Sequence, residues 1–139
     1  NGNTWDLNTT QNFSNAGTRD TFFNSDSVTF DDTGSNTPNV TLAGSLQPTA
    51  MTVNAAQNYT FDGTGSLDGT TGLTKQGTGT LTINTANTFT GPTTISGGTI
   101  VLGNANALAD STVSLGFPTA AAAKKIEILD PDKYGTFDK

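Results

Sequence analysis

The chain has 139 residues and a net charge of −6, with 12 acidic side chains, 6 basic side chains and neither Cys nor His. The acidic balance excludes the basic surface that nucleic-acid binding requires. The absence of thiols and imidazoles excludes disulfides, thiolate metal sites and the commonest general base. No apolar run approaches the length of a membrane span. We therefore predict no cofactor, no nucleic-acid partner and no membrane insertion by this segment.

The polar residues are mostly Thr, Asn, Ser and Gly rather than charged residues. Hydrophobic residues make up 32% and charged residues only 13% of the chain. Thr favours strands because it is β-branched, and Gly and Asn supply the positive φ angles of tight turns. This composition predicts an all-β domain of many short strands, and it is typical of secreted bacterial surface proteins.

The first predicted unit, residues 1–25, contains four aromatic side chains: Trp5, Phe13, Phe22 and Phe23. Aromatic side chains of this kind either stack on sugars or cover an exposed end of a repetitive fold. We favour capping, because the end units of repeat proteins need atypical sequences. Carbohydrate binding remains the open alternative.

The acidic residues are densest at Asp26, Asp31 and Asp32. Paired carboxylates can perform acid–base chemistry or bind Ca²⁺. The Asp-Asp-Thr-Gly sequence after Phe30 is also a common turn composition. We favour the turn, and we name no catalytic residue and no metal ligand.

The strongest internal pattern is a triplet of apolar, Thr, apolar residues, which predicts a short strand with one buried face. Two interleaved series of such triplets or close variants run along residues 26–117, and each recurs about every 20 residues. They begin at Val40, Tyr59, Leu81 and Ile100, and at Val28, Met51, Leu73, Ile95 and Val113. This period predicts a parallel β-solenoid in which each turn adds one strand to each of two faces. An antiparallel β-sandwich is the alternative fold.

A specific resemblance covers residues 72–108. The sequence there resembles the autotransporter-associated β-strand repeat, also called the passenger-associated transport repeat. The matching residues are Leu73, Lys75, Gly77, Gly79, Leu81, Asn87, Phe89, Thr90, Gly91, Thr94, Gly98, Thr99, Leu102, Gly103 and Leu108. Pro92 departs from the pattern, because many members of the family carry Gly there.

The resemblance implies a right-handed parallel β-helix in the secreted passenger region of a bacterial surface protein. It also implies a structural or export-assisting role rather than a reaction. Thr-x-Thr pairs such as Thr80 and Thr82 suggest ice binding as a further interpretation. We give that interpretation little weight, because the pairs vary from turn to turn.

The last predicted unit, residues 118–139, differs in composition. Four of the six cations lie in its last sixteen residues, 124–139. Ile126, Ile128 and Leu129 form an apolar segment that could add as a strand to a neighbour's open sheet edge. The segment Asp130–Asp138 resembles a Ca²⁺-binding loop only weakly, and we favour a Pro/Gly turn there.

These features predict a non-catalytic structural segment of an extracellular bacterial passenger or surface fibre. Its expected partners are neighbouring repeats or further copies of the chain. A carbohydrate-binding adhesin module, with glycans as partners, is the alternative. A polysaccharide-active β-helix is less favoured, because such sites combine clustered acids with Lys or Arg.

Overall fold

The computed structural model describes residues 3–34, 38–116, 125–128 and 137–138. The regular structure of these residues consists of short strands, and no helix occurs among them. The described residues therefore include no helix long and apolar enough to cross a membrane. The strands are β1 (Thr4–Trp5), β2 (Phe13–Asn15), β3 (Thr18–Asp20), β4 (Ser27–Asp31), β5 (Asn39–Leu42), β6 (Ser45–Leu46), β7 (Ala50–Asn54), β8 (Tyr59–Gly63), β9 (Ser66–Leu67), β10 (Gly72–Gln76), β11 (Thr80–Ile83), β12 (Thr93–Ile95), β13 (Thr99–Leu102), β14 (Val113–Leu115), β15 (Lys125–Ile128) and β16 (Phe137–Asp138).

Two parallel sheets wind around one core. The first sheet has the order β1-β5-β8-β11-β13-β15-β16, and the second has the order β14-β12-β10-β7-β4. Strands that neighbour each other in a sheet belong to successive turns of the chain. The predicted β-solenoid is therefore confirmed, with about four turns, and the antiparallel sandwich is wrong.

The register corrects three of the sequence alignments. Val40 lies opposite Phe61 rather than Tyr59. Ile95 lies opposite Lys75 rather than Leu73 on one side, and opposite Leu115 rather than Val113 on the other. Each alignment was wrong by two residues, and a shift of two leaves every side chain on the same face of its strand. Alternation alone could not detect these errors.

The core is a stack of inward-facing side chains from both sheets. The second sheet contributes Met51, Leu73 and Ile95, and the first contributes Leu81 and Ile100, each of them at most 1% exposed. A corner sheet of β6 and β9 adds Leu46 and Leu67. Burial of this continuous column stabilises the coil, because no single turn could bury its apolar face alone.

The two ends of the coil are finished differently. At the start, the antiparallel hairpin of β2 and β3 lies beside the first turn. At the other end, β15 adds parallel to β13, and β16 then pairs antiparallel with β15. An antiparallel strand interrupts the parallel ladder, so the first sheet ends there among the described residues.

Candidate functional site

Lys75 occupies a buried inward position of the second sheet. It lies in register with Val53 on one side and Ile95 on the other, both aliphatic. The side chain is only 1% exposed, and its Nζ donates a 2.6 Å hydrogen bond to the carbonyl oxygen of Gln76. Burial disfavours the charged ammonium and lowers the pKa of Lys75. The site therefore holds an amine inside the coil, with a backbone carbonyl as its partner.

Gly98 makes room for this amine in the following turn. Its φ angle is +70°, and a Cβ atom there would lie 2.6 Å from the Lys75 Nζ and 2.8 Å from the Gly77 carbonyl oxygen. Any side chain at this position would therefore need both a strained backbone and a displaced lysine. The Gly and the Lys form one packing unit across two turns.

Asn87 connects three successive turns through a fully buried side chain. Its Oδ1 accepts a 2.9 Å hydrogen bond from the Leu67 amide in the preceding turn. Its Nδ2 donates at 3.0 Å to the Ala107 carbonyl in the following turn. Within its own turn it also bonds to Thr85, at 3.0 Å from the Thr85 Oγ1 and 3.2 Å to the Thr85 carbonyl. The Oδ1 and the Nδ2 of Asn87 are thus both hydrogen-bonded, and their bonds hold the preceding and the following turn together.

A second clamp is formed by Asp68 near the same corner of the coil. Its carboxylate accepts hydrogen bonds from the hydroxyls of Ser45, Ser66 and Thr88, which come from three different turns. Partial burial raises the pKa of Asp68, but the bonds from Ser45, Ser66 and Thr88 outweigh it, and the net pKa is lowered. The carboxylate acts as an acceptor for hydroxyls and is held ionised by them.

The four aromatic side chains of residues 1–25 differ in their exposure to solvent. Trp5 and Phe22 are each 1% exposed, with ring centroids 5.3 Å apart at right angles, and Phe13 packs beside them at 5.8 Å from Trp5. Phe30 lies 5.4 Å from Trp5 and extends this cluster into the core. Phe23, in contrast, is 47% exposed. Three of the four predicted residues therefore pack over the first turn, and one faces solvent.

A cleft of about 1190 Å³ lies between the β2–β3 hairpin and β4. The Phe13, Phe23 and Phe30 side chains line it, together with Arg19 and several carboxylates at this end of the coil. Trp5 also lines it, and its buried Nε1 has no hydrogen-bond partner among the described residues.

The carboxylates of the predicted acidic cluster flank one strand, β4, and accept hydrogen bonds from different backbone amides. Asp26 accepts a 2.9 Å hydrogen bond from the Phe23 amide, and Asp31 accepts one of the same length from the Thr33 amide. Asp32 accepts bonds from the amides of Gln57 and Ala56 in the next turn, and these bonds lower its pKa. Among the described residues no group of three or more metal-binding side chains occurs.

One comparison identifies the central turns. The family model described as Passenger-associated-transport-repeat matches residues 73–102. The match covers residues 73–102 and no other part of the chain. Neither the curated proteins nor the solved structures include a match to the chain. The recognition made from the sequence is confirmed, and the repeat corresponds to the span from β10 to β13.

The transport repeat contains the buried polar contacts described above. Lys75, Asn87 and Gly98 all lie within residues 73–102. Their resemblance to family positions was evident from the sequence, but their burial and their contacts were not. The burial of Lys75 in particular was not predicted. A sequence signal existed, because Lys75 stands two residues after Leu73 and therefore on the same buried face.

A column of Thr residues on the second sheet was also missed. Thr29, Thr52, Thr74 and Thr94 lie opposite one another on successive strands, and Ser114 continues the column. On the first sheet Thr82 lies between Thr60 and Val101, so no comparable column forms there. This Thr column runs across successive turns rather than along the chain. It is a single column, whereas the Thr-x-Thr array considered for ice binding needs two parallel columns.

The predicted self-association segment is paired within the chain as far as the structure describes it. Lys125–Ile128 forms β15, with Ile126 opposite Ile100 and Ile128 opposite Leu102. Leu129 lies outside the described residues, as does the weak Ca²⁺-loop resemblance apart from the backbone of β16. Association between copies therefore stays a prediction.

Proposed function

We propose that the chain is a non-catalytic structural segment of a bacterial passenger that is secreted or displayed at the cell surface. The observation that carries this proposal is the position of the transport repeat inside a continuous solenoid. The strands of residues 73–102 pair in unbroken register with β7 and β8 before them and with β14 and β15 after them. The repeat is thus one part of a longer stack.

The stack supports a role in extension and export. Each turn contacts mainly its neighbours, so the coil can form turn by turn as the chain emerges from a membrane. Asn87 and Asp68 join the turn that contains Asn87 to the turn before it through side-chain hydrogen bonds. A segment of this kind would draw the chain outward as it folds and hold other passenger regions away from the surface.

The ionisable groups support a role without chemistry. Asp32 and Asp68 are engaged by backbone amides or hydroxyls of other turns, and Lys75 is buried. Arg19 is the exposed cation of the cleft. Incubation with a panel of polysaccharides is expected to release no reducing ends, and release that is lost in an Arg19→Ala variant would overturn this part of the proposal.

A display experiment tests the structural role. The chain is placed between an export signal and an outer-membrane barrel, with a reporter at its outer end. A composition-matched chain of shuffled sequence serves as the control. We expect the native segment to give several-fold more protease-accessible reporter than the shuffled one. Equal display would contradict an export-assisting role.

Carbohydrate binding is the second candidate, and it is supported by Phe23. This ring is 47% exposed and lines the cleft beside polar groups such as Arg19. An exposed aromatic face next to hydrogen-bonding groups is a common arrangement for sugars. A glycan array probed with the native chain and with Phe23→Ser tests this: binding that the substitution removes would favour an adhesin.

A further inference from the structure

Two Asp-Gly pairs lie close together in the sequence, and the structure places their carboxylates in different surroundings. Asp62 and Gly63 are the last two residues of β8. Asp68 and Gly69 follow directly after β9. An aspartate that precedes glycine is prone to rearrange its own backbone, because glycine has no Cβ atom to shield its nitrogen. The local geometry of each pair therefore decides how fast that pair reacts.

The exposed carboxylate of Asp62 is turned towards its own backbone. Its Oδ1 accepts a 2.8 Å hydrogen bond from the amide of the next residue, Gly63. The Asp62 Cγ is bonded directly to this oxygen, so the Gly63 nitrogen already lies beside the carbon that it would attack. Reacting groups that are held together in one orientation react much faster than groups that must first find each other.

The coil requires the glycine of this pair. The φ angle of Gly63 is +102°, and a Cβ atom there would lie 2.5 Å from the Leu42 carbonyl oxygen in the preceding turn. Any side chain would therefore collide with backbone atoms and would also strain the φ angle. The fold thus keeps an unshielded nitrogen next to Asp62.

The carboxylate of Asp68, in contrast, is held by three hydroxyls. Ser45 and Ser66 donate hydrogen bonds to its Oδ2, and Thr88 donates one of 2.7 Å to its Oδ1. Both carboxylate oxygens are therefore engaged by other side chains. A rotation that brings the Asp68 Cγ into position for attack by the Gly69 nitrogen would break these bonds.

We propose that Asp62–Gly63 is a site of spontaneous isoaspartate formation in the folded chain, whereas Asp68–Gly69 is protected from it. The Gly63 nitrogen forms a bond to the Asp62 Cγ, and the amide proton leaves with the carboxyl hydroxyl as water, which closes a succinimide ring. Water then opens the ring. Addition at Cγ restores aspartate, and addition at the main-chain carbonyl of Asp62 gives isoaspartate.

Isoaspartate would disturb the pairing of β5 with β8. It routes the backbone through the former side chain and so adds one methylene between Asp62 and Gly63. These residues lie opposite Thr41 and Leu42. The lengthened backbone cannot keep both pairings, because Gly63 is packed against the Leu42 carbonyl. The inference goes beyond the proposed export role and does not rest on it.

The test ages the full chain in neutral buffer and measures the product at each site. The aged chain is unfolded and digested with a protease that cuts before aspartate but not before isoaspartate, so missed cleavage before residue 62 or residue 68 reports each site separately. A second sample is aged in denaturing urea, where neither carboxylate is held. Methylation by an isoaspartyl methyltransferase measures the total product. Asp62→Glu is the matched control, because glutamate would have to close a larger and less favourable ring.

We expect isoaspartate to accumulate at least about tenfold faster at residue 62 than at residue 68 in the folded chain, since misplaced reacting groups lose orders of magnitude in rate. In urea the two sites should react at similar rates, and folded Asp62→Glu should lose most of the methylation. Equal rates in the folded chain, faster reaction at residue 68, or no product at residue 62 once the urea sample has reacted would overturn the proposal. An unchanged preference for residue 62 in urea would also overturn it. Reporter display does not enter this measurement, so the two proposals fail separately.

Discussion

Lys75 and Gly98 occupy one space inside the coil: a Cβ atom at position 98 would lie 2.6 Å from the Lys75 Nζ. The amine that needs this space is buried beneath the next turn and is held by the Gln76 carbonyl. Two positions that are 23 residues apart in the transport repeat are therefore explained by one contact.

The first prediction concerns the pH dependence of stability. Burial lowers the pKa of Lys75 in the folded chain, so between the folded and unfolded pKa values the unfolded state binds more protons. The free energy of unfolding is therefore expected to rise with pH as the solution approaches the ordinary lysine pKa of 10.5. Urea titrations between about pH 7 and pH 9.5, below the ionisation of tyrosine, measure this rise.

The Lys75→Met variant is the control for this effect. It keeps a long side chain in the same space but has no titratable amine, so its unfolding free energy should stay flat over the same interval. The interval ends below pH 10 because burial, followed by the nearby charges of Asp31 and Asp32, raises the pKa of Tyr59 in the folded state. Above the ordinary tyrosine pKa of 10.0 the unfolded state loses this proton before the folded state does, so the free energy of unfolding falls with pH there. An equal rise in the native chain and in Lys75→Met would show that Lys75 is not its source.

The second prediction concerns the three-turn clamp at Asn87. Asn87→Ala leaves the Leu67 amide and the Ala107 carbonyl without their side-chain partner in a buried corner. We expect a loss of about 2–4 kcal/mol, because each unsatisfied buried group costs about 1–3 kcal/mol. Asn58→Ala is the matched control, since Asn58 is exposed and its side chain accepts a hydrogen bond from the Thr80 amide. Denaturant titration of both variants would refute the clamp if they lost the same amount.

The third prediction concerns close approach between turns. A Cβ atom at Gly91 would collide with the carbonyl groups of Thr71 and Thr70 in the preceding turn. Backbone atoms cannot move aside as a side-chain end can, so Gly91→Ala should destabilise the chain by about 3 kcal/mol. Gly34→Ala is the control, because its nearest neighbour would be the Tyr59 hydroxyl at an ordinary 3.7 Å. Thermal melts in which both variants matched the native chain would contradict this packing.

The fourth prediction concerns acid. Bonds from Gln57 and Ala56 lower the pKa of Asp32, and hydroxyl bonds lower that of Asp68 against its partial burial. A lowered carboxylate pKa stabilises the folded state above the ordinary aspartate pKa of 3.8, and this contribution is lost as pH falls through the folded pKa. Asp68→Asn should therefore reduce the drop in stability on acidification below pH 4. An unchanged acid profile in this variant would show that the hydroxyl cluster is not a source of the dependence.

The fold was predictable because short strands recur about every 20 residues. Alternation identifies the inward face of each triplet, and the recurrence shows that successive triplets stack. The exact pairing was less predictable, since Val40 can meet Tyr59 or Phe61 with the same face buried. Thr93 and Lys75 also face inward, and their polarity hid the true alignment of β10 with β12.

The candidate sites were less predictable than the fold. The aromatic residues near the start differ in exposure because Trp5 and Phe22 pack into the first turn while Phe23 lies at its surface. The column from Thr29 to Thr94 depends on register between turns, which no local pattern contains. The hydrogen bonds of Asn87 depend on where two other turns place their backbone groups.

The most direct test of the central claim is reporter display by a set of variants that separate folding from surface chemistry. Asn87→Ala and Gly91→Ala weaken the stack, whereas Gly34→Ala and Phe23→Ser leave it intact. In the barrel fusion we expect protease-accessible reporter to fall several-fold for the first two variants and to stay at the native level for the last two. Native-level display by Asn87→Ala and Gly91→Ala, after melts have shown them to be destabilised, would contradict a function that resides in the folded solenoid.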